Sequence, residues 1–333
     1  MKRFLSLFLA LTLLASLAAI PAFAEEEKVV NLFSWQGYVD DETLTNFEAA
    51  TGIKVNFSYF SSNEEMLAKL EANGGSDYDV VLASDYVLNA MREDGLIQKL
   101  DKGLLTNYGN LKPSYLSKYF DPDNEYVIPY VGGTPLIVYD PSVVTVDIKS
   151  YNDLWDPALA DSEVLIDDAR NIIGITLKSL GYSMNDTDAT HLQEASDKLM
   201  TLWPNVHNLN YDTPYADLIN GEASIGYMFT PFVVMVLAER PDFKVVYPEE
   251  GTGFGIDGFV IPAKAPHTAS AHAFLDYLMQ GEVAAHTAEW QMYMTPNAAA
   301  EEFLSDDYKN SAAYITDEMA EKGEFIMNLG DEE

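Results

Sequence analysis

Val29-Val30-Asn31-Leu32-Phe33, Lys54-Val55-Asn56-Phe57-Ser58-Tyr59-Phe60 and Val80-Val81-Leu82-Ala83 are short apolar runs near the start of the chain. Each has the length and β-branched or aromatic content of a strand. The segments between them follow a different period. Thr43–Ala50 carries Leu44, Phe47 and Ala50 on one helical face, and Gly52 stands where such a helix stops. Ser62-Asn63-Glu64-Glu65 has the form of a capped helix start, with Met66, Leu67 and Leu70 behind it. Val87–Arg92 reads as a brief helix after the third run. This β-α-β-α-β alternation predicts a parallel sheet covered by helices.

Downstream, Leu104–Pro157 is richer in Pro, Asp, Asn and Tyr. Within it Val127–Tyr130 and Leu136–Tyr139 read as extended segments flanking Gly132-Gly133, a crossing between domains. A second alternating set follows. Its predicted strands are Val164–Ile166, Val206–Leu209, Ser224–Met228, Lys244–Tyr247 and Gly258–Ile261, and its predicted helices are Ala169–Leu180, Leu192–Leu202, Ala271–Met279 and Val283–Trp290. A chain of 333 residues with this pattern is expected to form two α/β lobes.

Upstream, Lys2-Arg3, the apolar run Phe4–Ile20 and Pro21-Ala22-Phe23-Ala24 precede Glu25-Glu26-Glu27. Basic start, apolar middle and small-residue ending are the parts of a secretory signal peptide over residues 1–24, cleaved near Ala24. The mature chain is expected to be exported. No later segment has the roughly 18 apolar residues that a membrane span needs.

Lys and Arg together number 19 against 53 Asp and Glu, a formal net charge of −34. Such a chain repels phosphate backbones, which disfavours a nucleic-acid partner. Cysteine is absent, which excludes disulfides, thiol catalysis and thiolate metal sites. The 5 histidines, His191, His207, His267, His272 and His286, show no ligand pair, and His267 and His272 are expected at the surface. Trp155, Trp203 and Trp290 read as core packing.

The sequence contains no Gly-x-Ser-x-Gly, His-Glu-x-x-His or phosphate-loop motif. Gly253-Phe254-Gly255-Ile256-Asp257-Gly258 matches Gly-x-Gly-x-x-Gly formally. That motif needs a helix N-terminus after it to hold a pyrophosphate. Here a strand is predicted to follow a glycine-rich turn, and Asp257 would repel phosphate. Asp121-Pro122-Asp123-Asn124-Glu125 resembles a calcium loop, but Tyr126 and Gly132 occupy the places that require Gly and Glu. It reads as a solvated acidic turn. No metal, cofactor or catalytic residue is expected.

Aromatic and acidic side chains recur at predicted strand ends, where open α/β sheets place ligands. Trp35, Gln36 and Tyr38 follow the first strand, and Ser84, Asp85 and Tyr86 the third. Asp167-Asp168-Ala169-Arg170 follows the first strand of the second set, and Phe229 follows Ser224–Met228. Asp257 precedes a strand, and Tyr293 precedes Thr295-Pro296-Asn297. Any one of these alone reads as core. Their repeated placement suits a flexible amine, because aromatic faces attract ammonium groups and cover methylenes while carboxylates neutralise charge.

Through these residues the sequence resembles the spermidine/putrescine-binding proteins of bacterial polyamine ABC transporters, over nearly the whole mature chain. Further similar stretches are Thr51-Gly52-Ile53-Lys54-Val55, Tyr78-Asp79-Val80-Val81, Phe120-Asp121-Pro122-Asp123-Asn124, Ile128-Pro129-Tyr130, Leu180-Gly181-Tyr182-Ser183 and Thr295-Pro296-Asn297-Ala298-Ala299. The resemblance implies a two-lobed, type II periplasmic binding-protein fold. Each lobe would be a mixed, mostly parallel sheet flanked by helices, with the ligand cleft between them. One lobe would comprise 25–133 with 258–300, the other 134–257 with 301–333. It also implies a monomer in the periplasm that hands its ligand to inner-membrane permease subunits.

Carried over residue by residue, Trp35, Tyr38 and Tyr293 match the family's aromatic walls. Ser84 and Tyr86 match its contacts after the third strand, and Asp168 and Asp257 its amine-binding acids. Several positions depart from the pattern. Asn171 stands where a Glu is frequent, Phe229 and Gly255 replace tryptophans, and Ile326 falls at a Gln of spermidine-type members, while Asp85 is an added acid. The function implied is capture of putrescine, spermidine or both for import. The alternative from another class is an exported enzyme acting on a cationic, amine-containing substrate. The adjacent carboxyls Asp167-Asp168 speak against it, since chain neighbours rarely converge on one bond.

Overall fold

The computed structural model describes residues 28–327 and Leu329, so the leader predicted over 1–24 lies outside the described residues. The opening alternation is β1 (Val29–Trp35), α1 (Asp41–Thr51), β2 (Lys54–Phe60), α2 (Asn63–Asn73), β3 (Val80–Ser84) and α3 (Asp85–Glu93). Its first two helices start where side chains satisfy free N–H groups. Asp40 accepts from Thr43 N, and Ser62 from Glu65 N. β1 pairs in parallel with both β2 and β3. Side chains alternate across the pleat, so Val30 and Leu32 pack with Phe47 of α1 on one face. Phe33 packs with Met66 and Leu70 of α2 on the other.

β4 (Ile128–Gly133) belongs to this first sheet, and β5 (Pro135–Tyr139) to a second one. Only the fully buried Thr134 separates them, so the chain changes lobe within one residue. The second lobe adds β6 (Glu163–Leu165), α4 (Ala169–Ser179), α5 (Ala189–Leu202), β7 (Val206–Leu209), α6 (Pro214–Asn220), β8 (Ile225–Phe229), α7 (Thr230–Glu239) and β9 (Lys244–Val246). Its strand order is β7-β6-β8-β5-β9. One face is covered by α4 and α5 through Ile175 and Leu202, the other by α6 and α7 through Leu218, Val233 and Val236. α6 and α7 escape the sequence pattern. The run Pro231-Phe232-Val233-Val234-Met235-Val236-Leu237 is apolar all round, so no helical stripe shows.

The chain returns as β10 (Gly253–Val260), followed by α8 (Thr268–Leu278), α9 (Gly281–Gln291), α10 (Asp306–Lys309), α11 (Asp317–Lys322) and β11 (Glu324–Phe325). The first sheet runs β11-β10-β3-β1-β2, with β4 also paired to β10. β10 is antiparallel to β3 and β4 and parallel to β11.

Three expectations need correction here. The lobe boundary expected between Asp257 and Gly258 falls inside β10, which is continuous in the first sheet from Gly253 because its ladder partners hold it there. The glycine-rich turn expected before Gly258 is therefore strand. Residues 301–333, expected in the second lobe, include β11, whose ladder is with β10 of the first. That tail nevertheless also grips the second lobe. Glu324 accepts from Lys178 Nζ at 2.6 Å and from the Ser183 hydroxyl, and Asn185 Nδ2 donates to Phe325 O at 2.9 Å.

Other side chains differ from their expected settings. His272 is buried, with Nε2 accepting from Asp101 N at 2.8 Å and Nδ1 donating to Thr268 O at 2.7 Å. Asp121 is buried rather than solvated and accepts from Glu125 N, Tyr126 N and Val127 N. Trp203 and Trp290 are exposed rather than core.

Glu163 of β6 is fully buried with Asn205 as its nearest polar neighbour, and neither carboxyl oxygen makes a full hydrogen bond. Burial pushes this carboxyl from 4.5 up to about 9. Between those values the unfolded chain ionises it while the folded one does not. The contribution of this one carboxyl is therefore fully present at low pH and is lost, by up to about 1.4 kcal/mol per pH unit, as pH rises toward 9. Glu163→Gln keeps the shape and removes the titration. Denaturant melts from pH 5 to 9 should show the variant gaining on the parent as pH rises; parallel profiles would place the charge in a wet site.

Candidate functional site

β10 meets β3 in antiparallel register with Asp257 opposite Ser84. Ser84 closes β3 and stands at the N-cap of α3, where a serine hydroxyl ordinarily bonds the helix. Here it makes no cap bond and donates instead to Asp257 Oδ1 at 2.7 Å. Asp85, the first residue of α3, is 5% exposed, and its Oδ2 accepts from Ile256 N at 3.1 Å. The strand pairing thus brings two carboxyls together at the C-terminal end of β3. Burial raises Asp257 to about 6, against the bonds from Ser84 and Tyr38 that lower it. Burial, aided by the charge of Asp257, raises Asp85 to about 8. No basic side chain among the described residues forms an ion pair with either acid.

Aromatic rings rise from this floor. Tyr38 lies in the loop after β1, and its carbonyl oxygen is held by Tyr130 Oη at 2.9 Å and Gln291 Nε2 at 2.6 Å. Its ring centroid is 6.4 Å from that of Tyr293. Tyr293 packs over Gly133, where an added Cβ would lie 2.9 Å from its ring, so the crossing strand must be bare there. Burial pushes both phenols up, keeping them neutral. Tyr86 Oη accepts from Asn63 Nδ2 at 2.6 Å.

The second lobe contributes the opposing wall. Asp168 caps α4, its Oδ1 accepting from Asn171 N at 2.9 Å. Asn171 is 4% exposed and its Oδ1 has no hydrogen-bond partner. Phe229 ends β8 and stands at the N-cap of α7. Arg170 faces the same space but is engaged, Nη1 with Met184 O at 2.6 Å and Nη2 with Asn185 Oδ1 at 2.7 Å. These side chains enclose a cavity of about 520 Å³.

Of the residues singled out from the sequence, Tyr38, Ser84, Asp85, Tyr86 and Tyr293 line this cavity. Asp168, Asn171, Phe229 and Asp257 do so too. Trp35 and Gln36 do not. β1 runs through Trp35, whose ring packs edge-on against Phe60 at 4.5 Å and stands 6.4 Å behind Tyr38; Gln36 is exposed at the turn. Sequence reasoning missed Tyr211, although it follows β7 beside Asp212 and so met the criterion applied to other strand ends. It also missed Met327 and Leu329, which β11 brings to the cavity. Gly255 lines it as well, and nothing lies within 4 Å of the Cβ it lacks.

The profile of the bacterial extracellular solute-binding proteins matches residues 42–316. The spermidine/putrescine-binding periplasmic protein of Salmonella typhimurium is 37% identical over 93% of this chain and 90% of its own length. The putrescine/cadaverine-binding protein of Pseudomonas aeruginosa is 31% identical over 92% of this chain and 90% of its own. A spermidine/putrescine ABC transporter substrate-binding protein of Streptococcus pneumoniae superposes with a TM-score of 0.83 at 34% identity, covering 89% of this chain and 92% of that one. On these grounds the chain belongs to the bacterial extracellular solute-binding protein family.

Proposed function

We propose that this protein captures a linear polyamine, putrescine or spermidine, in the cavity between its lobes and delivers it to the membrane subunits of an ABC transporter. The observation that carries this reading is a pair of carboxyls without an ion-pair partner, Asp85 and Asp257, set with Asp168 among aromatic rings in one cavity. Buried carboxylates need a cation, and an ammonium group supplies one. The spermidine-, putrescine- and cadaverine-binding relatives point the same way. Family membership sets aside the enzyme reading: these proteins bind solutes.

In this reading Tyr38, Tyr293 and Phe229 cover the methylenes, while Ser84 and Tyr86 shape the end where an amine meets Asp257. Trp35 supports Tyr38 from behind. The protein acts as an exported monomer, and the lobes divide at residues 133/134 and close to 252. No helix among the described residues is long and apolar enough to cross a membrane. Closure follows from charge: carboxyls facing one another favour the open, empty state, and a bound diammonium removes the repulsion.

Asp257→Asn keeps the Ser84 bond available but deletes the charge. Calorimetry with putrescine and spermidine should show a loss of about 2 kcal/mol or more in binding, with the melting temperature of the empty protein unchanged or higher. Unchanged affinity with a lowered melting point would make Asp257 structural. A parent protein that gains no stability from putrescine, cadaverine, spermidine or spermine would refute the polyamine reading itself.

Selectivity follows from the departures. Asn171 offers an oxygen but no charge, Gly255 leaves open space, and Ile326 offers no amide. A short diamine is therefore expected to bind at least as well as spermidine. Competition calorimetry showing a tenfold preference for spermidine, about 1.4 kcal/mol, would overturn this.

A further inference from the structure

Asp85 is buried beside a second acid. Its Oδ2 takes the N–H of Ile256, and the next residue of β10 is Asp257, whose Oδ1 takes the Ser84 hydroxyl one residue before Asp85. The two carboxyls thus bracket a single rung of the β3–β10 ladder, and both face the cavity. The groups around them are poor counter-ions. α3 contributes the Tyr86 N–H to Asp85, and Glu64 of α2 acts on Tyr86 with a negative charge. Tyr38 bonds Asp257, while Tyr293 and Tyr211 feel that acid's charge. From the second lobe come Asp168 and Arg170, a cation whose charge acts on Asp168 and is not among the groups that shift Asp85 or Asp257. Two adjacent carboxylates cannot both ionise in such a place without a cation.

We propose that Asp85 and Asp257 share one proton in the empty cleft and that an arriving ammonium group expels it, so that capture of the amine is coupled to release of a proton. This rests on the polyamine reading and deepens it. The step is balanced. The Asp85 O–H bond breaks, its electron pair stays on the carboxylate oxygen, the ammonium keeps its own protons, and the expelled proton passes to water. Burial raises both acids, Asp85 to about 8 and Asp257 to about 6, so the pair keeps one proton near neutral pH, favouring Asp85. Affinity consequently rises with pH, by up to about tenfold per unit between those values. Putrescine stays protonated across that range and contributes no opposing slope.

The test is calorimetry of the full chain with putrescine at pH 7 in phosphate and in Tris, whose ionisation enthalpies differ. The parent should release close to one proton per ligand and bind more tightly at pH 8 than at pH 6. Asp85→Asn should still bind, with a buffer-independent enthalpy and a flat pH profile; Asp168→Asn should bind more weakly yet keep the proton release. Saturable binding by the parent without proton release would overturn the proposal and leave the polyamine reading standing. Should no amine bind, the polyamine reading fails, and carboxyl NMR titration of the empty protein still decides the pair. A carboxyl titrating well above the ordinary aspartate range and absent in Asp85→Asn supports the shared proton, and its absence refutes it.

Discussion

Asp257 faces Ser84 across β10 and β3, and the serine hydroxyl placed to cap α3 is turned to the carboxylate instead. Much of the site depends on that rung. The parallel strands β1, β2 and β3 end together, which is where sheets of this kind gather ligands. They contribute no acid to the rung themselves. β10 enters antiparallel from the other lobe and sets Asp257 against the end of β3, and its Ile256 N–H draws in Asp85. The cost of burying these groups is contained by the Ser84, Ile256 and Tyr86 donors without being cancelled. A cavity whose acids are held short of full satisfaction is tuned to a cation from outside.

The elements of the first lobe were legible because each agrees locally with its tertiary setting. Val29–Phe33 has strand content, Ser62 caps the helix it precedes, and Gly52 is left-handed at the end of α1. Legibility failed where local signals were neutral or misleading. α7 is apolar all round, so its period is invisible, and Thr230-Pro231 marks its start only once the strand before it is known. Gly253–Gly258 reads as a turn because glycine is usually a breaker, yet there it lets the strand pass close neighbours. A Cβ at Gly258 would meet Val127 at 2.5 Å, and one at Gly253 would meet Met184 at 2.7 Å. β11 is two residues long and exists only through its ladder with β10. No window of sequence that short can announce it.

The candidate site divides the same way. Acids and aromatics at strand ends could be found from position alone, and Tyr38, Asp85, Asp168 and Tyr293 were. Trp35 satisfied the same rule and packs against Phe60 and Tyr38 without lining the cavity itself. Asn171 shows the converse. Its backbone N–H completes the Asp168 cap while its side chain, nearly fully buried, is left with a bare oxygen. Its amide leaves the second-lobe side of the cavity with Asp168 as its acid, while Asp85 and Asp257 place two carboxyls at the β3–β10 floor.

The rung between Ser84 and Asp257 joins residues 173 positions apart, and this separation imposes an order on the protein's birth. The second lobe's sheet uses strands within residues 135–246 and can close as soon as that stretch has emerged. The first lobe, though it is made first, keeps one edge of β3 without its β10 partner until β10 has emerged, after the whole second-lobe sheet. Long-range ladders of this kind form slowly. An exposed strand edge meanwhile invites mispairing, and the high negative charge of the chain opposes association of such unfinished molecules with one another. A chain that finishes its first lobe last keeps that lobe pliable until β10 has emerged.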